Sequence, residues 1–249
     1  IFGRFREAWQ NPRWRIVISA LFLGAFCGTL EVTLPLNDLF VAARTKLRHE
    51  KASGDIVVVK IDDRTVEALG YNDVNPGLDA KLIEILMKNG AKDIYFARKY
   101  PFSMRSSGAP QLVEALKAYR GRVYFGAAAI PGEGARPVLE IGTAKEFRQY
   151  AGDVSLVVRR HPMNLDFAFP ITSPSIVGPV PSISASMADY ANTKTDLFVN
   201  PNFAIDYRSI PSISYIDVIE GQMDSAAIKG RTFVIGLTSS MAELRPIPL

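Results

Sequence analysis

The sequence predicts an α/β fold: a largely parallel or mixed central sheet with flanking helices, preceded by one transmembrane helix. Three observations carry this. The run Asp55-Ile56-Val57-Val58-Val59-Lys60-Ile61-Asp62-Asp63-Arg64 is nearly continuous in β-branched residues and reads as a strand buried on both faces. Strand and helix signals then alternate, an order that implies right-handed crossovers and a mainly parallel sheet. Ahead of them lies a stretch with no charge over residues 16–30.

That apolar stretch sets the first two segments. Residues 15–36 read as a membrane helix, since a bilayer needs about 20 predominantly apolar residues. Its one acid, Glu31, falls near the far interface. Residues 1–14 carry Arg4, Arg6 and Arg13 ahead of the run, Arg15 stands at its start, and only Glu7 opposes them. The positive-inside rule then places the N-terminus in the cytoplasm and the main domain outside the cytoplasmic membrane. Trp9 and Trp14 suit the interface. A cleaved signal peptide is the rival, but no small-x-small site follows the apolar run. A buried core helix is the bland reading of the same residues.

With 249 residues, 48% hydrophobic and 22% charged, the chain can bury a core of its own. Cys27 is the only cysteine, so neither an intrachain disulfide nor a cysteine-based metal site is possible. The net charge of +4 comes from scattered basic residues rather than an arm, which predicts a solvated surface and no nucleic-acid partner. The chain starts at Ile1 and stops at Pro246-Ile247-Pro248-Leu249, so a fragment of a longer protein is expected.

Residues 37–54 read as a mostly helical, basic connector closed by Ser53-Gly54, and residues 55–249 as the extracytoplasmic domain. After the first strand, residues 64–69 suit a short helix and residues 71–78 a loop. Asp79 suits an N-cap for a helix burying Leu82, Ile85, Leu86 and Met87, which Asn89-Gly90 would stop. Residues 93–97 form the next strand. Pro110 opens a helix with Leu112, Val113 and Leu116 at helical spacing, and residues 122–130 form the third strand. Strands are also expected over 154–158, 203–207 and 232–236. Residues 170–181, rich in Pro and Ser, read as a loop, 184–190 as a short helix, and Ser212 as the cap of a helix that Gly221 stops.

The candidate site residues follow from this layout. Asp62 and Asp63 close the first strand, where an open α/β sheet offers its ligand crevice. They suit a metal or a cationic ligand. Adjacent strand residues face opposite ways, so a joint site needs the loop to curl. Capping the next helix or pairing with an Arg is the bland alternative. Gly236-Leu237-Thr238-Ser239-Ser240 offers hydroxyls that would hold an anion if a helix began there, with a plain turn as the alternative. His49 and His161 have no zinc-motif context, and neither a G-x-S-x-G elbow nor a Walker loop is present. No cofactor or catalytic residue is expected.

The order of these phrases resembles the second type of CHASE domain, an extracytoplasmic sensor of bacterial cyclases and histidine kinases. The resemblance rests on Val59-Lys60-Ile61-Asp62-Asp63-Arg64 with Leu69-Gly70, Gly90-Ala91-Lys92, Ile94-Tyr95-Phe96, Ala151-Gly152-Asp153-Val154 with Arg159-Arg160, and Ser214-Tyr215-Ile216-Asp217-Val218-Ile219-Glu220-Gly221. Ile228-Lys229-Gly230-Arg231 and Val234-Ile235-Gly236-Leu237-Thr238 complete it. It covers residues 39–249.

The resemblance implies a non-catalytic input domain whose output module lies beyond Leu249: a nucleotide cyclase, a cyclic-dinucleotide enzyme or a kinase. It implies a small extracytoplasmic ligand, for which the candidate residues at the strand ends are Asp62, Asp63, Arg64, Arg98, Thr238 and Ser239, and a homodimer or larger membrane complex as the working assembly. Where the family carries an aspartate after its second strand, this chain has Ala97-Arg98-Lys99. That departure favours the alternative, a degenerate sensor serving as a structural or accessory subunit of a membrane complex. A hydrolase built on Asp62 and Asp63 is the remaining class.

Overall fold

The computed structural model describes residues 12–29, 50–69, 75–98, 100, 103–130, 138–140, 143–156, 159–160, 167–175, 178–190, 198–199 and 205–238. Helix α1 (Pro12–Thr29) belongs to one compact unit and the sheet to a second.

In α1 the first turn holds Arg13 and Arg15, so the uncharged part starts at Ile16. From there to Thr29 the helix is about 21 Å long, against about 30 Å of bilayer hydrocarbon. No helix among the described residues is long and apolar enough to cross a membrane. The exposed Ile16, Leu21, Phe22, Leu23 and Phe26 fall on all sides of the helix rather than along one stripe. Residues 30–36 of the expected span, and 37–49 of the expected connector, lie outside the described residues. The end of that connector is a correction: residues 50–54 are not helical. Glu50 bridges in parallel to Ile205, Ala52 N–H donates to Ser209 Oγ at 2.8 Å, and Gly54 turns the chain with φ 86°.

The second unit is built on six parallel strands. They run in the order β11 (Ser212–Ser214), β1 (Ile56–Ile61), β12 (Thr232–Leu237), β2 (Ile94–Phe96), β3 (Val123–Ile130) and β5 (Gly152–Ser155). The far end of β3 pairs antiparallel with β4 (Val138–Glu140), and β8 (Thr172–Ser175) and β9 (Gly178–Pro181) extend the sheet beyond it. The sheet is therefore mixed overall and parallel at its centre. The two-residue β6 (Arg159–Arg160) follows β5, and β7 (Phe167–Pro170) pairs antiparallel with β10 (Phe198–Val199) away from the main sheet.

Connections run through α2 (Asp63–Leu69), α3 (Pro76–Lys88), α4 (Ala109–Ala118), α5 (Lys145–Arg148), α6 (Ile183–Met187) and α7 (Tyr215–Ile219). The core joins Val57, Val59 and Ile61 of β1 and Phe233 and Ile235 of β12 to Leu82, Ile83 and Leu86 of α3, Leu112 and Leu116 of α4, and Val218 of α7. Each such side chain contributes about 1.5–3 kcal/mol by leaving water. In β1 the alternate residues Val58 and Lys60 are only half-buried, so full burial holds on one face rather than both.

Five local expectations are corrected. α3 starts at Pro76, with Asn75 as its cap accepting from Gly77 and Leu78 N–H at 2.9 and 3.1 Å, so Asp79 lies inside the helix. In that helix Ile83 is buried and Ile85 only partly. Within residues 170–181, expected as a loop, β8 and β9 pair antiparallel. The Ser182 N–H to Ile171 carbonyl bond (2.8 Å) fixes the register, which puts Pro174, Pro179 and Pro181 at positions that owe no ladder hydrogen bond. Ser212 opens a strand, and the helix starts three residues later at Tyr215. In the strand expected over 203–207 only Ile205 pairs, and Asp206 caps a 3-10 turn over Tyr207–Ser209; residues 203 and 204 lie outside the described residues.

Candidate functional site

Because β11, β1, β12 and β2 are parallel neighbours, Ser214, Asp62, Thr238 and Arg98 all emerge at the carboxyl edge of the sheet. The helices α2, α3 and α7 begin at the same edge. Two separate polar clusters hold them there.

The first centres on Asp62. Its Oδ1 accepts from Thr65 N–H (3.1 Å), Thr65 Oγ1 (2.9 Å) and Ser214 Oγ (2.8 Å). Asp62 thereby caps α2, while the backbone carbonyl of the same residue accepts from Val66 N–H at 3.0 Å. Burial pulls its carboxyl upward, but the hydrogen bonds from Ser214 and Thr65 outweigh that and hold it below the ordinary value. Each of these three hydrogen bonds goes to Oδ1. Ser214 occupies the cap position of α7 but makes no side-chain cap bond, because its hydroxyl is turned to Asp62. One turn further on, Arg64 grips Asp217 with both terminal nitrogens, at 3.2 and 2.9 Å. Asp63 is exposed in the first turn of α2 and does not join Asp62 in a shared site. Asp62 caps the helix, and Asp63 is exposed.

The second cluster centres on Asp79, whose side chain is 0% exposed. The Arg98 guanidinium donates to both its oxygens at 2.9 and 2.8 Å, and the Tyr100 and Tyr215 hydroxyls donate at 2.9 and 3.1 Å. Burial pushes Asp79 upward, and Arg98 and the two tyrosines pull it back only in part. Burial and the adjacent carboxylate keep both phenols firmly protonated. The Arg98 side chain is 19% exposed and lies 5.7 and 5.6 Å from the ring centroids of Phe96 and Tyr100.

Thr238 follows β12, is exposed, and gives its N–H to the Ile61 carbonyl at 3.0 Å. No helix begins there among the described residues, and Ser239 lies outside them, as do His49 and His161. Among the described residues no three His, Cys, Asp or Glu side chains gather as a metal site. The sequence reading missed Asp79, Tyr100 and Tyr215. The available signal is an acid one turn into α3 and an arginine at the end of the strand that follows, but the sequence alone suggests a cap role for Asp79.

A search of curated proteins finds no match, and neither does a search of solved structures. The family model of the CHASE2 domain matches residues 16–249. That match spans nearly the whole chain, so the chain belongs to the CHASE2 family of extracytoplasmic sensor domains found in signalling proteins.

Proposed function

We propose that this chain is the input domain of a bacterial membrane-signalling protein, anchored through residues 15–36 with its N-terminus in the cytoplasm, and that it catalyses no reaction itself. The observation that carries this reading is how the carboxyl edge uses its charges. Asp62 caps α2, Arg64 holds Asp217, and Arg98 holds Asp79. Each pairing ties one element to another, which suits an edge that switches between arrangements better than one that presents a base or nucleophile. Thr65 and Ser214 both donate to Oδ1 of Asp62, which leaves Oδ2 as the oxygen for a ligand bearing a cation or N–H donors. Such a ligand acts by binding two arrangements unequally. The all-round apolar surface of α1 supports insertion in a bilayer.

A second reading, a structural subunit of a membrane complex, draws on the Asp79–Arg98 pair. An arginine now closes a position where the family carries an acid, and a scaffold has no need of an open site.

The intact mass of the native polypeptide from membranes separates the two. A mass far above 27.4 kDa, with a cyclase, cyclic-dinucleotide or kinase sequence in its peptide map, supports the input-domain reading. A mass close to 27.4 kDa removes the effector and leaves the structural subunit.

A further inference from the structure

Both carboxyl-edge clusters meet on one short stretch of chain, and that stretch also holds the end of the connector at Glu50 and Ala52. We propose that residues 205–219 form a strap that couples the carboxyl edge to the end of the connector. Its purpose rests on the sensor reading, but the coupling itself is a property of the chain alone.

At its start the strap grips the connector. Ile205 bridges to Glu50, Asp206 N–H donates to the Glu50 carbonyl at 2.9 Å, and Ser209 Oγ accepts from Ala52 N–H at 2.8 Å. The same Ser209 hydroxyl donates to the Asp206 carbonyl at 2.6 Å, which closes the 3-10 turn. In its middle the strap is β11, a three-residue edge strand whose one neighbour in the sheet is β1. At its end Ser214 holds Asp62, Tyr215 holds Asp79, and Asp217 holds Arg64. An edge strand held by three residues can shift without opening the ladder between β1, β12 and β2. A change at Asp62 or Asp79 therefore reaches Glu50 and Ala52 through continuous backbone. Coupling of this kind is reciprocal: loosening either end loosens the other.

Amide hydrogen exchange on the full chain tests this without a ligand. In Tyr215→Phe and Asp217→Asn, the Ala52 and Asp206 amides are expected to exchange about two- to tenfold faster, the range that follows from losing one net hydrogen bond. The Val234 and Ile235 amides of β12 should keep their wild-type rates. Conversely, Ser209→Ala, which touches neither cluster, should speed exchange at the Glu220 amide that closes α7. Unchanged Ala52 and Asp206 rates in both edge variants overturn the strap. A uniform rise that includes β12 overturns it too, because the whole unit would then open together. A failure here leaves the input-domain reading standing, since that reading is judged by the polypeptide's mass and effector sequence.

Discussion

Replacing Arg98 by methionine keeps an unbranched chain against Phe96 and Tyr100 but removes the counter-charge of a fully buried carboxylate. Breaking a buried pair from one side costs about 3–5 kcal/mol. Two features of the site bound this figure. Tyr100 and Tyr215 still donate to Asp79, at 2.9 and 3.1 Å, so the charge is not bare. Asp79 can also escape by taking up a proton, and at pH 7 that costs about 4 kcal/mol for a carboxyl with an ordinary value near 3.8. The expected loss is therefore about 3 kcal/mol at pH 7, read by urea unfolding followed by circular dichroism.

The sign of the pH dependence follows. A carboxyl raised in the folded state binds its proton more tightly there than in the unfolded chain. Its stabilising contribution is complete below the unfolded value and is lost as pH rises through the folded value. With Arg98 gone the folded value rises further, so the deficit of Arg98→Met should shrink by up to about 1.4 kcal/mol per pH unit on going from pH 7 to pH 5. Adding Asp79→Leu should recover much of the loss, because no buried charge then remains. A cost under about 1 kcal/mol, or one indifferent to pH, would refute the argument that Asp79 is a buried charge held by Arg98.

The other predictions are smaller. Asp62→Ala should cost about 1–2 kcal/mol by thermal melting, from loss of the α2 cap and of the acceptor for Thr65 and Ser214, while Asp62→Asn should cost less. Because the Asp62 carboxyl is held below its ordinary value, the stability it contributes is present above that value and lost as pH falls through the folded one, opposite in sign to Asp79. Gly108→Ala should cost about 2–5 kcal/mol in the same melts: Gly108 has φ 78°, and a Cβ there would strike the Gly77 backbone at the start of α3. Arg64→Ala should cost under about 1 kcal/mol and less still in 1 M salt, because the Arg64 side chain is 66% exposed.

The parallel core was legible because its strands are short β-branched or aromatic runs separated by amphipathic helices with Gly stops. Ile56–Ile61, Thr232–Leu237 and Val123–Ile130 each announce themselves in this way. What escaped was structure whose cause lies in partners distant along the chain. The Ser212–Ser214 strand has too little β character to declare itself; it is a strand because β1 offers it a ladder. Pro174 and Pro179 argue against a strand unless the register is known to place both at non-hydrogen-bonding positions. At the site, Asp62 was visible from its place at a strand end, whereas the Asp79 cluster draws on residues up to 136 positions apart and has no local signature.

The proposed topology puts residues 55–249 outside the cytoplasmic membrane and the N-terminus on its cytoplasmic side. Cys27 is the only cysteine of this sequence, so within it a Cys27→Ser background carrying Ser225→Cys puts one thiol on an exposed turn of the domain, read after digestion on the peptide that holds residue 225. Intact cells are treated with a membrane-impermeant maleimide before and after lysis. That topology predicts full labelling of the Ser225→Cys protein in intact cells. Labelling only after lysis would place the domain in the cytoplasm and contradict it.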